Sequence, residues 1–389
     1  MTAPAPVPTI RGMRIIEVPS PPPGADWEWE WRWVYQGYSR IRQAVELETW
    51  GHHDRWAPTP ILMAFLTSSP WRHNTLLAAV RDDADGSDHT AVLGVAEINQ
   101  PQQDDQHLSF VNVSVHPEAR SQGVGSALAS AADAWVAATG RTVTICWTAH
   151  APEPEPGPGV VTAPTGSGRI PSDAVDARFA LHRGFGLEQV VRASTLQVPE
   201  TPSDVEHHRV EAAAAAGADY VVHTWVRTVP AEFHERLAVL WKRMSTDAPS
   251  AGIEVNEQHW DAERVAAHLE EQAQARQQLF ITAVEHVPTG VLAAFSELAI
   301  PDFDEVDFGF QGDTLVIADH RGRRLGMLVK AVNLLALVRD RPKVRRIHTF
   351  NAEENAYMLA INVALGFRGA GVLATWQRHD DAAPAAAEG

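Results

Sequence analysis

Apolar runs and amphipathic stretches follow one another along this chain in one order, and that order occurs twice. In the first half "MRIIEV", "TLLAAV", "AVLGVAEI" and "LSFVNVSV" are short, apolar and β-prone, so they read as strands. A Trp-rich stretch between the first two reads as helical. Beyond "VHPEAR", Val124, Leu128, Ala131, Trp135 and Val136 recur at helical spacing and predict a helix over about 122–139, with Gly140 as its stop. The strand "TVTICWTA" comes next. Strand, helix and strand in that order imply a right-handed parallel crossover. The second half repeats the plan. The strand "YVVHTWV" precedes helices near 231–246 and 257–275. Strands "LFITAV", "GVLAAFSEL" and "EVDFGFQGDTLVIA" follow. A long helix then carries Leu325, Leu328, Val329, Val332 and Leu335 on one face, and "RRIHTF" is the strand after it.

Both halves close alike, in "ARFALHRGFGLEQV" and "YMLAINVALGFRGAGV": a helix ending in Gly-Phe, then a strand. The first half spends more residues before this closure. The surplus is "APEPEPGPGVVTAPTGSGRIP", residues 151–171, whose proline and glycine content predicts an inserted loop. The chain therefore reads as a duplicated α/β module. Its expected layout is an N-terminal domain over 1–200, a linker over 201–217, a C-terminal domain over 218–380 and a tail over 381–389. Each domain is expected to hold its own mixed sheet of six or seven strands, flanked by helices.

The two strand-to-helix junctions carry the first chemical signal. They read "RSQGVG", Arg120 to Gly125, and "RGRRLG", Arg321 to Gly326. A glycine-bearing turn that opens a helix exposes backbone N–H groups, and such groups attract phosphate.

Composition narrows the classes without naming a function. The 389 residues carry a formal net charge of −17, which argues against general affinity for nucleic acid or anionic membranes. The single cysteine, Cys146, excludes an internal disulfide and a multi-cysteine metal site. No apolar run approaches a membrane span, and the N-terminus lacks the pattern of a secretion signal, so the expected compartment is the cytoplasm. The histidines show no metal-ligand spacing. "WEWEWRW", Trp27 to Trp33, reads as helix packing with Trp pairs at i, i+4 rather than as an acceptor wall.

Taken together, the strand, the Arg-x-x-Gly-x-Gly turn, the helix, the next strand and the Gly-Phe closure resemble the GCN5-related N-acetyltransferase (GNAT) superfamily. The duplication is similar to tandem two-domain acetyltransferases of the mycothiol synthase kind. The resemblance implies that each half holds acetyl-coenzyme A as acyl donor, without a metal. In the first half it places the coenzyme on Val113, Ser114 and Val115, and on the turn Arg120, Ser121, Gln122, Gly123, Val124, Gly125 and Ser126. In the second half it places it on Leu315, Val316 and Ile317, on Arg321, Arg323, Arg324, Leu325, Gly326 and Met327, and on Asn355. Arg324 stands where the first copy has Gly123, which leaves the second cradle open to question.

The implied reaction is direct attack by a primary amine of a small molecule on the thioester, and an amine needs a base to become neutral. Carboxylates on otherwise apolar strands are the candidates: Glu97, and its near-equivalent Glu297. Asp307, Asp313 and His320 are rivals. The family's helix asparagine and proton-donating tyrosine fall on Asn355 and Asn362 in the second half, and on Asp173 and Ala180 in the first. Tyr357 lies too far round the helix to substitute. The C-terminal half is therefore expected to be catalytic, with Glu297, Asp307 and Asn355 as its candidate residues. The alternative is a degenerate pair that senses acyl-coenzyme A without turnover. The chain is expected to be a monomer or homodimer.

Overall fold

The computed structural model describes residues 12–25, 28–199, 202–247 and 249–380. The first half runs β1 (Met13–Val18), α1 (Arg32–Trp50), α2 (Thr59–Phe65), β2 (Arg72–Arg81), β3 (Val92–Pro101), β4 (Leu108–Val115), α3 (Val124–Ala138) and β5 (Val143–His150). A hairpin of β6 (Val160–Thr162) and β7 (Arg169–Pro171) follows, then α4 (Val175–His182) and β8 (Gly186–Gln197). Helix α5 (Ser203–Ala216) leads into β9 (Tyr220–Val226), α6 (His234–Asp247), α7 (Ala262–Gln274), β10 (Gln277–His286), β11 (Val291–Pro301) and β12 (Phe308–Val316). The chain closes with α8 (Leu325–Asp340), β13 (Arg346–Ala352), α9 (Ala356–Ala364) and β14 (Arg368–His379).

The expected pair of separate sheets is one sheet. Its twelve strands run β1-β2-β3-β4-β5-β14-β8-β13-β12-β11-β10-β9. The closing strands are exchanged. β14 pairs with β5, Val372 opposite His150 and His379 opposite Val143, while β8 pairs with β13, Ala193 opposite Phe350. β8 and β14 also pair with each other, which makes the sheet continuous. The physical reason is edge satisfaction: a parallel pair such as β4–β5 or β12–β13 leaves one open edge, and a neighbouring closing strand removes it.

Both faces of the sheet are covered, so the inner strands bury alternate residues on opposite sides. On β2, Leu76, Ala78 and Val80 pack with α1 and α2, while Leu77 and Ala79 pack with α3. On β10, Phe280 and Val284 face α5 and α8, while Leu279, Ile281 and Ala283 face α6 and α7. Asn333, wholly buried on α8, ties that helix to two strands: it accepts from Thr282 Oγ1 at 2.6 Å and donates to the carbonyls of Phe280 and Ser296.

Three sequence expectations change. The 151–171 loop contains the β6–β7 hairpin, whose Ile170 is buried with Val190, Val372 and Trp376. Most of the 201–217 linker is helix α5, with Val205, Ala212 and Ala216 buried in the core that α8 shares. Of the Trp-rich stretch, Trp29 and Trp31 lie before α1 and Trp33 is its second residue. Trp29 meets Tyr35 with ring centres 5.4 Å apart and Trp33 is buried, while Trp27 lies outside the described residues. The packing role holds, but the i, i+4 geometry does not.

Candidate active site

In both halves the parallel strand pair opens like a V. β4 pairs with β5 only from Leu108 to Phe110, and β12 with β13 only from Phe308 to Gln311. Past those points the second edges of β4 and β12 have no strand partner among the described residues. Alternation then decides which amides are free. His116 N–H donates to Leu93 O and Ile317 N–H to Ala293 O, both toward the antiparallel neighbour. Ser114 and Leu315 share that direction. The amides that face the gap are therefore Val113 and Val115 in the first half and Val316 in the second. Among the expected coenzyme residues, Ser114, Leu315 and Ile317 have their N–H groups spent on the sheet.

Each strand runs into a turn with two left-handed residues. In the first copy these are Ser121 (φ 60°) and Gly123 (φ 85°); in the second they are Gly322 (φ 79°) and Arg324 (φ 56°). The backbone shape is thus retained in the second copy, with the glycine two positions earlier. Arg324 adopts the left-handed conformation at a cost of about 1 kcal/mol, and its side chain leaves the turn to pair with Glu211 of α5 at 3.1 Å. Among the described residues no backbone acceptor serves the N–H groups from Ser121 to Ser126 or from Gly322 to Met327. A run of unspent amides at a helix start suits a diphosphate. The fit to a coenzyme A diphosphate therefore holds in both halves. At Gly326 packing is tight, since a Cβ there would lie 3.2 Å from Ile361 Cδ1, whereas one on Gly125 would make only ordinary contact, 3.5 Å from Val115 Cγ2.

The motif arginines brace the turn. Arg120 Nε donates to Val115 O at 3.4 Å and Nη1 meets Glu48 at 2.6 Å; Arg321 Nε donates to Val316 O at 3.1 Å and Nη2 meets Asp247 at 3.0 Å. Arg323 lies over the Tyr220 ring, and Gln122 donates to Glu118 O at 3.0 Å.

The two candidate bases differ sharply. Glu97 lines a cavity of about 420 Å³ between the halves, and its Oε2 accepts from Tyr38 at 2.6 Å, close to Arg42. Glu297 faces a second cavity of about 300 Å³, together with Asp313, Trp241, Trp260 and His268. A bulge makes this second site. The β11–β12 register shifts between Ser296 and Leu298, so Glu297 stands against both Gly312 and Asp313. A Cβ on Gly312 would meet Glu297 Oε1 at 2.6 Å, so glycine is required there. The β3–β4 register has no such shift. Burial, and then the charge of Asp313, push the Glu297 carboxyl up to about 8, while the Asp313 N–H it accepts pulls the other way. Burial raises the Asp313 carboxyl as well.

Above these carboxyls stands an aromatic box. Trp241 and Trp260 have ring centres 4.9 Å apart, edge to face, and His268 meets Trp241 at 5.0 Å. Burial and then the charges of Arg72 and Arg264 hold His268 down to about 4, so its ring is neutral near pH 7. Sequence reasoning missed the box, because its members are spread over α6, the following loop and α7.

The remaining candidates sit elsewhere. Asp307 lies before β12, not on it, and pairs with Arg346 at 2.6 Å. His320 accepts or donates to Tyr220 on the far side of the turn. Asn355 caps α9, its Oδ1 accepting from Met358 N–H at 3.2 Å. Asn362 is buried, its Nδ2 on Asn351 Oδ1 at 2.6 Å and its Oδ1 without a partner among the described residues. Tyr357 is 90% exposed. Among the described residues no group of His, Cys, Asp or Glu is placed to hold a metal ion, and no helix is long and apolar enough to cross a membrane.

Comparison with known proteins agrees with this geometry. Residues 28–153 match the family model described as the Acetyltransferase (GNAT) family. No curated protein matches the chain. A solved tandem GNAT protein from the clavulanic acid biosynthesis pathway is 20% identical with a TM-score of 0.69, covering 96% of this chain and 100% of its own. A GCN5-related N-acetyltransferase from Sphaerobacter thermophilus is 12% identical with a TM-score of 0.54, over 94% and 95% of the two chains. N-myristoyltransferase of Saccharomyces cerevisiae, solved with myristoyl-CoA, is 12% identical with a TM-score of 0.54, over 96% and 80%. At these identities the likeness speaks for the fold.

Proposed function

We propose that this chain is a tandem acetyltransferase of the GNAT superfamily, whose C-terminal half moves an acetyl group from acetyl-coenzyme A to a primary amine of a small molecule. The observation that carries the reading is the Glu297–Asp313 pair, held at a bulge beside the open edge of β12.

The donor supplies the activated acetyl group as a thioester. The unspent amides from Gly322 to Met327 hold its diphosphate, and the gap between β12 and β13 takes its arm. Val316 N–H, aimed into the gap, stabilises negative charge that develops on the thioester oxygen. The acceptor arrives as an ammonium ion. Asp313 and the faces of Trp241 and Trp260 favour that charge. Glu297, with its carboxyl at about 8, is matched to accept the proton and leave a neutral nucleophile. The C–N bond then forms, the C–S bond breaks, the nitrogen gives up its surplus proton to solvent, and the departing thiolate takes one from solvent. Glu97 is a poorer base because Tyr38 already donates to its Oε2 and the charge of Arg42 stands close by. The N-terminal cradle, with its free Val113 and Val115 amides and Gly123, supports a second coenzyme site without turnover.

The test is thiol release from acetyl-coenzyme A over a panel of primary amines. Loss of release in Arg321→Ala and Glu297→Gln, with Arg120→Ala largely active, is the expected result. Loss confined to Arg120→Ala would reassign the chemistry to the first half. A sensor reading draws on one observation: no proton donor stands at the position of Asn362. It predicts calorimetric uptake of acetyl-coenzyme A with no thiol release for any amine.

A further inference from the structure

The cavity between the halves neighbours the Glu297 cavity. Two elements run from one to the other. On the floor, Ala299 and Phe310 are a cross-strand pair that lines the inter-half cavity; the next pair on the same face is Glu297 with Asp313, which lines the other. Neighbouring pairs on one face of a sheet are about 7 Å apart. On the roof, α7 gives His268 to one cavity and Gln272, one turn on, to the other.

The far end has its own chemistry. Trp56, Phe65, Phe308, Phe310 and Phe350, drawn from both halves, make an apolar wall. Arg55 enters beside it with its guanidinium between the rings of Trp50 and Phe350, 4.5 and 4.6 Å from their centres. Its nearest carboxylate, Glu46, is only at 4.0 Å from Nε, and its buried Nη1 has no hydrogen-bond partner among the described residues. A buried guanidinium nitrogen left without an acceptor is costly, and its planar fork matches a carboxylate.

We propose that the two cavities form one acceptor cleft, selecting a primary amine whose apolar, aryl-sized body ends in a carboxylate held by Arg55. The amine lies at Glu297 and Asp313, the body against the Phe308–Phe310–Phe350 wall, and the acid at the guanidinium. The proposal rests on the acyl-transfer reading for its amine end, but its acid end is testable alone.

The experiment compares 4-(aminomethyl)-, 4-(2-aminoethyl)- and 4-(3-aminopropyl)benzoate with their methyl esters as acceptors for thiol release. In the wild type at least one acid exceeds its ester in kcat/KM by tenfold or more, and in Arg55→Met that ratio falls to about one. Equal use of acid and ester by the wild type, or a ratio that survives Arg55→Met, overturns the proposal. If no amine is turned over although acetyl-coenzyme A binds, the transfer reading fails and calorimetry with the same benzoates decides this one. Uptake of an acid but not its ester, lost in Arg55→Met, sustains it; no uptake, or equal uptake, overturns it. Ala57→Phe, which fills the cleft from a different lining position, guards against a misfolded arginine variant. It abolishes acid preference if the cleft is the site, and unchanged preference overturns the assignment.

Discussion

Glu297 shows how far a single residue's role depends on what surrounds it. Its carboxyl is enclosed and faces Asp313, so the folded chain holds its proton up to about pH 8, against about 4.5 when unfolded. Two consequences follow with opposite signs. As a base it must be ionised, so kcat/KM rises with pH through about 8 and levels off above; Glu297→Gln loses that inflection and about a hundredfold in kcat. For stability, a raised carboxyl favours the folded state below the unfolded value and loses that advantage as pH climbs through the folded one. The wild type therefore weakens between pH 5 and 8 relative to Glu297→Gln, as melting temperatures across that range would register. Gly312 belongs to the same device. Gly312→Ala pushes a Cβ against Glu297, whose side chain must shift, and lowers kcat for thiol release.

At the scale of elements, the two strand-to-helix turns answer a question that residue identities left open. The sequence suggests that the second copy lost a glycine at Arg324. The backbone needs left-handed residues at the first and third positions after the motif arginine, and each copy meets one of those needs with glycine, Gly123 or Gly322. Gly322→Val places a β-branched residue at φ 79° and should cost about 1–2 kcal/mol and weaken coenzyme uptake, measurable by urea titration and calorimetry. The parallel crossover from β12 to β13 was legible from the strand order, as was the turn that opens the helix between them. Which amides point into it was not, because that depends on register against β11, and register is a property of the pair.

Across the whole molecule the halves are interlocked. Each one's last strand lies in the other's sheet, and Asp54 of the first half reaches Arg346 and His348 of β13 at 2.5 and 2.9 Å. Burial pushes the Asp54 carboxyl up, but hydrogen bonds from His348 and Arg346 outweigh it and hold the group well below the usual range. That stability is present above pH 4 and is lost only in strong acid. Asp54→Ala leaves Arg346 and His348 short of their partner, and a loss of about 3 kcal/mol in urea titration is expected. Residues 1–200 expressed alone leave β5 and β8 without β14 and β13. They should show no cooperative melt, while co-expression with 201–389 restores one.

The amino-acid order by itself determined the duplicated strand–turn–helix plan, since apolar spacing, turn glycines and helix stops are local signals that each segment carries. It also picked out Glu297 as a carboxylate out of place on an apolar strand. Tertiary structure alone decided that the sheet is one, that Glu97 is pinned by Tyr38 while Glu297 is not, and that Trp241, Trp260 and His268 meet above it. Those outcomes rest on strand exchange, register and burial, which bring together residues far apart in the chain, and no local pattern encodes such distances.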